Sequence, residues 1–387
     1  MITSLRKFLR ELGTIKFCFH PPPQSDIVVF DESHIKMISN YILAGHSYFI
    51  YNMRPEKIYI SLSVIYCFLK SLLISDWNAV RVSKKRLQTV LQQLIYSYRM
   101  GCFIVIKPRV VVTAVDNSGC FHWLSQNYKD AAFFAIQNGH RTNIQLTEGR
   151  TKQYLTNFFC FGDYERDRYL RFGHVIEKSY PMGSLKLGVY NDFYRDGKSD
   201  MEEKYDLSIV SQYRRQIHQV SYAPLLVKAL TSMHELLSRF IKENCLKVAL
   251  IMCSNGDADE IELHRNIYND NIDYISNDKT AFTSYRIINK SGIVVGFNST
   301  LILEAFGIGR KVLLIDSSGT DDFTDYDPII LLKNPSYSEL ENRLNGLLVE
   351  PYEDYRRRTK EYASYVMNYN PDCPPHEYIR KKIAGYL

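Results

Sequence analysis

The sequence predicts an α/β protein made of two Rossmann-like, doubly wound domains that face each other across a cleft. Short apolar strands alternate with amphipathic helices in both halves of the chain, which is the pattern of a mostly parallel sheet covered by helices. The length of 387 residues exceeds what one small core requires. A polar stretch, DFYRDGKSDMEEK at 192–204, separates the halves. We therefore predict an N-terminal domain at 1–195, a linker at 196–204, a C-terminal domain at 205–370 and a tail helix at 371–387.

The N-terminal half contains a series of apolar runs bounded by turn residues. Residues 1–17 have an apolar and a basic face, which predicts an amphipathic helix resting on the domain or at a membrane interface. Residues 58–75 predict a buried strand followed by a core helix, because Lys70 and several hydroxyls interrupt the run and a bilayer span needs more apolar residues. Further helices are expected at 84–100, 121–127 and 164–172, and strands at 26–31, 48–51, 107–115, 131–137, 158–161 and 179–182.

The C-terminal half repeats this alternation. Strands are expected at 205–212, 247–252, 272–275, 291–296 and 311–315. Helices are expected at 223–243, 259–268 and 281–288, from Leu301 to Gly307, and at 336–350 and 352–368, before a basic closing helix.

Composition narrows the class of protein. The hydrophobic content of 45% and charged content of 23% are ordinary for a soluble globular protein. The formal charge of +6 suits an anionic ligand or membrane surface, and no basic run is dense enough to indicate nucleic acid as a partner. The eight cysteines show no metal or disulfide spacing, so we expect reduced thiols and a cytoplasmic protein. The first residues lack the pattern of a signal peptide.

One strand–loop–helix–strand unit, Ser291 to Asp316, is the best candidate for a ligand site. Ligands bind at the carboxyl ends of strands in open α/β sheets, and the following helix N-terminus favours an anionic group. The loop residues Asn298, Ser299 and Thr300 could bind such a group, with Gly296 before them and Glu304 after them. The alternatives are a plain helix cap for the loop and a solvated or capping carboxylate for Glu304.

Two loops of the first half carry candidate catalytic and substrate-binding residues. Asp116 and Asn117 follow an apolar strand, and Asp116 could be a general base or a nucleophile. The alternative is an Asx-type turn.

The second loop is Asn138-Gly139-His140-Arg141. Gly139 permits close approach of the backbone to a ligand, Asn138 can bond hydroxyls, Arg141 can pair with an anion and His140 could be the base. The alternative is a turn with a surface histidine.

Charge neutralisation is predicted to come from arginines. Arg214 and Arg215 follow the first strand of the second half, where they could neutralise a phosphate group. Asp257 and Asp259 match a DxD pattern but precede a helix, which indicates an N-cap. We therefore expect no metal and no cofactor.

Four stretches resemble the GT-B class of glycosyltransferases, and more narrowly bacterial surface-carbohydrate (capsule and O-antigen) transferases. They are DIVVFD, VDNSGCFHWLS, FAIQNGHR and SYRIINKSGIVVGFNSTLILEAFGIGRKVLLID. The resemblance implies that the C-terminal domain binds the nucleotide-sugar donor, with Asn298, Ser299 and Thr300 on its phosphate and Glu304 on its ribose. It implies that the N-terminal domain binds the acceptor.

The function expected from this resemblance is a metal-independent glycosyltransferase, inverting or retaining. It would add a sugar to a lipid-linked or oligosaccharide acceptor beside the inner membrane. A donor with its own carboxylate, such as a CMP-linked ulosonic acid (Kdo or a nonulosonic acid), would use the arginines well. The alternatives are a sugar-nucleotide epimerase or polyol-phosphate transferase of the same fold, and a non-catalytic scaffold of a polysaccharide assembly complex.

Overall fold

Two six-stranded, fully parallel sheets form the centres of two domains in this computed structural model. The structure describes residues 16–53, 57–74, 77, 86–147, 152–194, 203–213, 223–269, 271–321, 323 and 325–387. The predicted α/β fold with two doubly wound domains is therefore confirmed.

The N-terminal sheet has the strand order β3-β2-β5-β6-β7-β8. These strands are β2 (Ile27–Phe30), β3 (Phe49–Tyr51), β5 (Val110–Thr113), β6 (Ala132–Ile136), β7 (Tyr154–Cys160) and β8 (Val175–Pro181). A separate pair, β1 (Lys16–Cys18) and β4 (Lys57–Tyr59), lies beside them. The helices are α1 (Ile35–Met37, continuing as a π-helix at Ile38–Ile42), α2 (Leu62–Ile74), α3 (Arg86–Ile106), α4 (Gly119–Asn127), α5 (Asn143–Thr147), α6 (Asp163–Arg171) and α7 (Leu185–Tyr194).

The C-terminal sheet has the order β11-β10-β9-β12-β13-β14. Its strands are β9 (Tyr205–Val210), β10 (Val248–Ile251), β11 (Asp273–Ile275), β12 (Ser291–Gly296), β13 (Lys311–Asp316) and β14 (Leu331–Lys333). The helices are α8 (Ala223–Asn244), α9 (Ala258–Tyr268), α10 (Thr283–Asn289), α11 (Thr300–Gly307), α12 (Tyr337–Val349), α13 (Tyr352–Val366) and α14 (Pro375–Ala384). The direction of winding reverses between β9 and β12, and ligands bind at such a switch point.

Alternation along the strands builds a core on each face of the N-terminal sheet. Val28 and Phe30 of β2 pack on one face, while Ile27 and Val29 pack on the other. Side chains of a strand point alternately to opposite faces, so a central strand of a covered parallel sheet must be apolar throughout. This explains why DIVVFD is apolar between its two carboxylates.

The chain returns to the N-terminal domain at its end. Helix α13 leaves the C-terminal domain, and α14 places Ile379 and Ile383 in the same buried cluster as Val29 and Val110. The predicted tail helix at 371–387 therefore completes the core of the N-terminal domain. Of the predicted linker, only Glu203 and Lys204 lie among the described residues.

Two local predictions were wrong, and some elements were not predicted. Residues 16–17, predicted to end an amphipathic helix, begin strand β1 because they pair with β4; the rest of that segment, 1–15, lies outside the described residues. Helix α2 is not a core helix, since no described element covers its outer face and Leu62 and Leu73 are 87% and 86% exposed. Strand β14 was not predicted, although the apolar run IILL at 329–332 was a signal for it.

Among the helices of the described residues, none has both the length and the apolar content required to cross a bilayer.

Candidate functional site

The carboxyl ends of both sheets meet at a cavity between the domains, which we call the cleft cavity. Its volume is about 410 Å³. The N-terminal domain contributes His34, Asn138 and Lys186 to its walls, and the C-terminal domain contributes Ser211, Cys253, Asn277, Lys279, Tyr285, Ser299, Thr300 and Glu304, among others. Four of the predicted site residues, Asn138, Ser299, Thr300 and Glu304, are therefore brought together.

The loop between β12 and α11 presents the start of α11 to the cleft cavity. Ser299 is the N-cap residue, but its side chain makes no capping hydrogen bond. The loop is held instead by Gln212, whose Oε1 accepts from the backbone N–H of Asn298 at 2.9 Å and whose Nε2 donates to the carbonyl of Asn298. The Ser299 hydroxyl thus stays available to a ligand, whereas the Asn298 amide is already paired.

Gly296 has a packing function in this loop. A Cβ atom there would lie 2.7 Å from the Cδ1 of Ile302 and 3.2 Å from the carbonyl oxygen of Val210. Glycine therefore lets α11 pack against the end of β9 without displacing Ile302. The structure gives this reason for glycine, and the ligand contact predicted for Gly296 stays a prediction.

Glu304 joins the two domains at the floor of the cleft cavity. It is 3% exposed, and its carboxylate accepts hydrogen bonds from the Ser184 hydroxyl of the N-terminal domain and from the Tyr285 hydroxyl at 2.9 Å. Burial raises the pKa of Glu304, and Ser184 and Lys186 oppose this shift. Since a carboxylate has about four acceptor positions, a ribose hydroxyl could still be bound.

Three basic side chains line the cleft cavity, and the sequence prediction missed all of them. Lys186 lies in the first turn of α7, Lys279 lies before α10, and His34 follows β2. Neither lysine makes an ion pair with a described residue. Burial, together with Lys186 and Lys279, lowers the pKa of His34 to about 4. The imidazole is therefore neutral at pH 7, and its buried Nδ1 has no hydrogen-bond partner among the described residues.

Asp116 lies behind the wall of the cleft cavity instead of in it. Its carboxylate is completely buried, forms an ion pair with Arg141, and accepts from the Tyr169 hydroxyl at 3.1 Å. Burial raises the pKa of Asp116, although Arg141 counteracts the shift. Arg141 in turn donates to Oδ1 of Asn138 at 2.9 Å. The chain from Asp116 through Arg141 thus orients a side chain of the cavity wall.

His140 is enclosed by a second set of contacts. Its Nδ1 lies 2.7 Å from Oε1 of Glu165 and 2.8 Å from the Tyr326 hydroxyl, and its side chain is 2% exposed. Burial lowers the pKa of His140 against the effect of Glu165. Burial also disfavours ionisation of Glu165, but His140 and Arg168 outweigh it and lower the pKa of that carboxyl.

The remaining predicted residues have varied positions. Gly139 lies near the N-terminus of α11, because a Cβ atom there would be 3.6 Å from Oγ1 of Thr300. Asn117 is half-buried next to Asp116. Arg214 and Arg215 lie outside the described residues. Within the part of the chain that the structure describes, no group of three histidine, cysteine, aspartate or glutamate side chains could hold a metal ion. Metal independence stays a prediction.

Comparison with known proteins identifies the family and the fold. A family model described as "putative O-antigen biosynthesis protein" matches residues 134–327, half of the chain, from β6 to just after Tyr326. No curated protein has a matching sequence.

Two solved structures share the whole architecture. The UDP-GlcNAc 2-epimerase of Methanocaldococcus jannaschii, in complex with UDP-GlcNAc and UDP, is 11% identical over 96% of this chain and 100% of its own, with a TM-score of 0.51. The UDP-GlcNAc 2-epimerase of Neisseria meningitidis, bound to UDP-GlcNAc, is 14% identical over 93% of this chain and 98% of its own, with a TM-score of 0.50. At these identities the likeness concerns the fold alone. The resemblance to GT-B proteins of surface-carbohydrate synthesis is confirmed.

Proposed function

The chain belongs to the O-antigen biosynthesis family whose model matches residues 134–327, and from this premise we propose that it is a glycosyltransferase. It would move a sugar from a nucleotide-sugar donor to a growing surface glycan, without a metal ion. The observation that carries this proposal is the cleft cavity, which is lined both by an uncapped helix N-terminus and by two lysines that form no ion pair with a described residue.

The donor phosphates fit the charge of the cleft cavity. Lys186 and Lys279 are the right partners for a diphosphate or monophosphate, and the first turn of α11 adds backbone N–H groups and the positive end of the helix dipole. Ser299 supplies a hydroxyl at the same place, beside Thr300, whose Oγ1 accepts from the backbone N–H of His140. These cations do the neutralising that a divalent ion does in metal-dependent transferases.

We assign the general base to His34. A base must accept a proton from the acceptor hydroxyl, and a neutral imidazole in the cavity wall can do so. Its pKa of about 4 in the free protein would make it a weak base. Bound phosphate would neutralise Lys186 and Lys279, which both lower that pKa, so donor binding should strengthen the base. An inverting reaction follows from a base of this kind.

Asp116 and His140 were the catalytic candidates, and we now propose that they position others. Asp116 orients Asn138 through Arg141, and His140 holds the N-terminus of α11 because its backbone N–H donates to Oγ1 of Thr300 at 2.9 Å. Direct catalysis would require both enclosed side chains to lose their present partners.

The decisive experiment is a transfer assay combined with nucleotide binding. We expect one of CMP, UDP or GDP to raise the Tm, and the corresponding nucleotide sugar to donate to a lipid-linked oligosaccharide. The His34→Gln variant should bind the nucleotide normally and lower kcat by about 10²–10⁴-fold, the usual contribution of general base catalysis. Unchanged kcat in this variant would remove the assignment of His34. Absence of binding by all three nucleotides would remove the proposed function.

The donor is the finer part of the proposal. A CMP-linked ulosonic acid carries a carboxylate besides its phosphate, and the two lysines of the cleft cavity would suit both anions. Stabilisation by UDP or GDP with none by CMP would exclude this donor.

A sugar-nucleotide epimerase is the second candidate, because the two solved structures named above are UDP-GlcNAc 2-epimerases. An epimerase would convert its nucleotide sugar without any acceptor. Incubation with UDP-GlcNAc alone, followed by NMR of the sugar, separates the two functions.

A further inference from the structure

Helices α2 and α3 of the N-terminal domain expose an apolar surface to solvent. Helix α2 packs on α3 so closely that a Cβ atom at Gly101 would lie 2.8 Å from the backbone nitrogen of Phe68. Val64 and Ser71 are buried on that side of α2. The opposite side carries Leu62, Tyr66, Leu69 and Leu73, which are 87%, 68%, 55% and 86% exposed. We call these four residues the α2 stripe.

The α2 stripe follows helical spacing and is continuous over the whole helix. Residues separated by three or four positions lie on one face, so the four side chains form a single row. Neighbouring elements extend the apolar surface with Phe17, Phe19, Ile60, Leu87, Leu91 and Ile95, all at least one third exposed. Single exposed apolar residues are normal, but a contiguous patch of this extent indicates an interaction site.

The charged residues of the elements that carry this surface have one sign. Of the described residues from 57 to 106, four are charged, Lys57, Lys70, Arg86 and Arg99, and none is acidic. Among the basic side chains, Lys57, Lys70 and Arg86 are exposed at or beside the apolar residues. The described charged residues of β4, α2 and α3 are therefore all basic.

We propose that the α2 stripe inserts into an anionic lipid bilayer, with the surrounding lysines and arginines on the lipid headgroups. An apolar row flanked by basic residues, with a tyrosine in it, matches the chemistry of the bilayer interface. A symmetric dimer through this surface would bring like charges together, which disfavours a second copy as the occupant. The proposal does not depend on glycosyl transfer, since any activity in the cleft cavity is compatible with it.

Vesicle co-sedimentation of the full chain tests the proposal. We expect binding to vesicles of phosphatidylglycerol and phosphatidylcholine in equal parts, little binding to phosphatidylcholine alone, and a decrease with salt. The double variant Leu69→Ser/Leu73→Ser should lose roughly tenfold or more of its partitioning, because burial of one leucine side chain already accounts for a factor of that size. Charge reversal by Lys70→Glu/Arg86→Glu should also weaken binding to the anionic vesicles.

The control is Leu263→Ser/Val349→Ser, which replaces two exposed apolar residues of the C-terminal domain. It should bind vesicles like the wild type. Near-UV circular dichroism should be the same for all variants, since every replaced side chain is exposed. Equal vesicle binding by Leu69→Ser/Leu73→Ser and the wild type would overturn the proposal. So would a dimer in light scattering that this variant dissociates, combined with no vesicle binding, because the surface would then be an interface between copies.

Discussion

Two neighbouring parts of the interdomain cleft differ in whether their charged side chains are paired within the protein. In the buried charge cluster, made of Asp116, Arg141, His140, Glu165 and Arg168, every charged group has a partner of opposite sign or a strong hydrogen-bond partner. In the cleft cavity, Lys186, Lys279 and His34 have Glu304 as their one acidic neighbour among the described lining residues, and the Ser184 hydroxyl already donates to that carboxylate.

The difference indicates what each part is for. A buried pair satisfied within the protein fixes structure, and removal of one partner leaves an uncompensated charge. A cation kept without a partner in a cavity gains its counterion only when a ligand binds. The first part should therefore control stability, and the second should control binding and catalysis.

The largest expected effect concerns the buried charge cluster. Asp116→Ala should lower the free energy of unfolding by about 3–5 kcal/mol, because Arg141 would be left without its carboxylate. Urea unfolding measures this change. The control Glu353→Ala removes an exposed ion pair with Arg356 and should cost at most about 1 kcal/mol. A fully stable Asp116→Ala protein without transferase activity would contradict the positioning role and restore direct catalysis by Asp116.

The next effect concerns the cleft cavity. Lys186→Met and Lys279→Met should each weaken nucleotide binding by about 1.5–3 kcal/mol, the range for hydrogen bonds to charged groups. Lys279→Met should leave stability unchanged, because Lys279 makes no ion pair with a described residue, whereas Lys186→Met should lower it slightly, because Lys186 favours the ionised form of the buried Glu304. Calorimetric titration measures the affinity, and Lys381→Met, an exposed lysine of α14, is the control. Wild-type affinity in both lysine variants would mean that the phosphates bind elsewhere.

Sequence patterns were sufficient to predict the architecture because a strand that is buried on both faces of its sheet must be apolar along its length. Strands β2, β5 and β12 are apolar at nearly every position, and the loops after them are polar, so their order and the edge of the site follow. For helix α2, the expected burial in the protein core was wrong. Its apolar residues predict burial equally well whether a protein core or a bilayer covers them, so the sequence could not separate the two.

The site was predictable only in part because exposure and pairing are tertiary properties. Asp116 and His140 follow strands as catalytic residues do, yet contacts with Arg141 and Glu165, 25 positions away in each case, enclose them. Lys186 and His34 lie in short segments without any motif. The one available signal for His34 was its position after the end of a strand, which Asp116 shares.

Buried neutral histidines make stability depend on pH, and ligand binding should change the contribution of His34 among them. Burial lowers the pKa of His122 to about 4 and that of His234 to about 3, below the unfolded value of 6.5. As the pH falls below 6.5, these histidines become protonated in the unfolded chain but stay neutral in the folded chain. Each of these two histidines should then cost about 1.4 kcal/mol per pH unit, until the pH reaches its folded pKa.

Urea unfolding at several pH values measures that slope. His122→Gln should reduce it by the share of one proton, and a slope identical to that of the wild type would contradict the burial effect. Saturating nucleotide should also reduce the slope, and it should do so through His34 alone. Bound phosphate neutralises Lys186 and Lys279, and both of these lysines lower the pKa of His34. The same nucleotide should not change the contribution of His122, which bonds to the carbonyl oxygen of Tyr154 and does not line the cleft cavity.

The smallest expected effect concerns Ser299 and Thr300, which lie where the cleft cavity meets the buried charge cluster. Oγ1 of Thr300 accepts from the backbone N–H of His140, whereas the Ser299 side chain makes no capping hydrogen bond. Thr300→Val should therefore lower the free energy of unfolding by about 1 kcal/mol, the net value of one hydrogen bond. Ser299→Ala should leave stability unchanged and weaken nucleotide binding a few-fold, so urea unfolding and calorimetry of the two variants form a matched pair. The reverse result, with stability lost in Ser299→Ala and affinity lost in Thr300→Val, would show that Thr300 belongs to the ligand site and Ser299 to the domain contact.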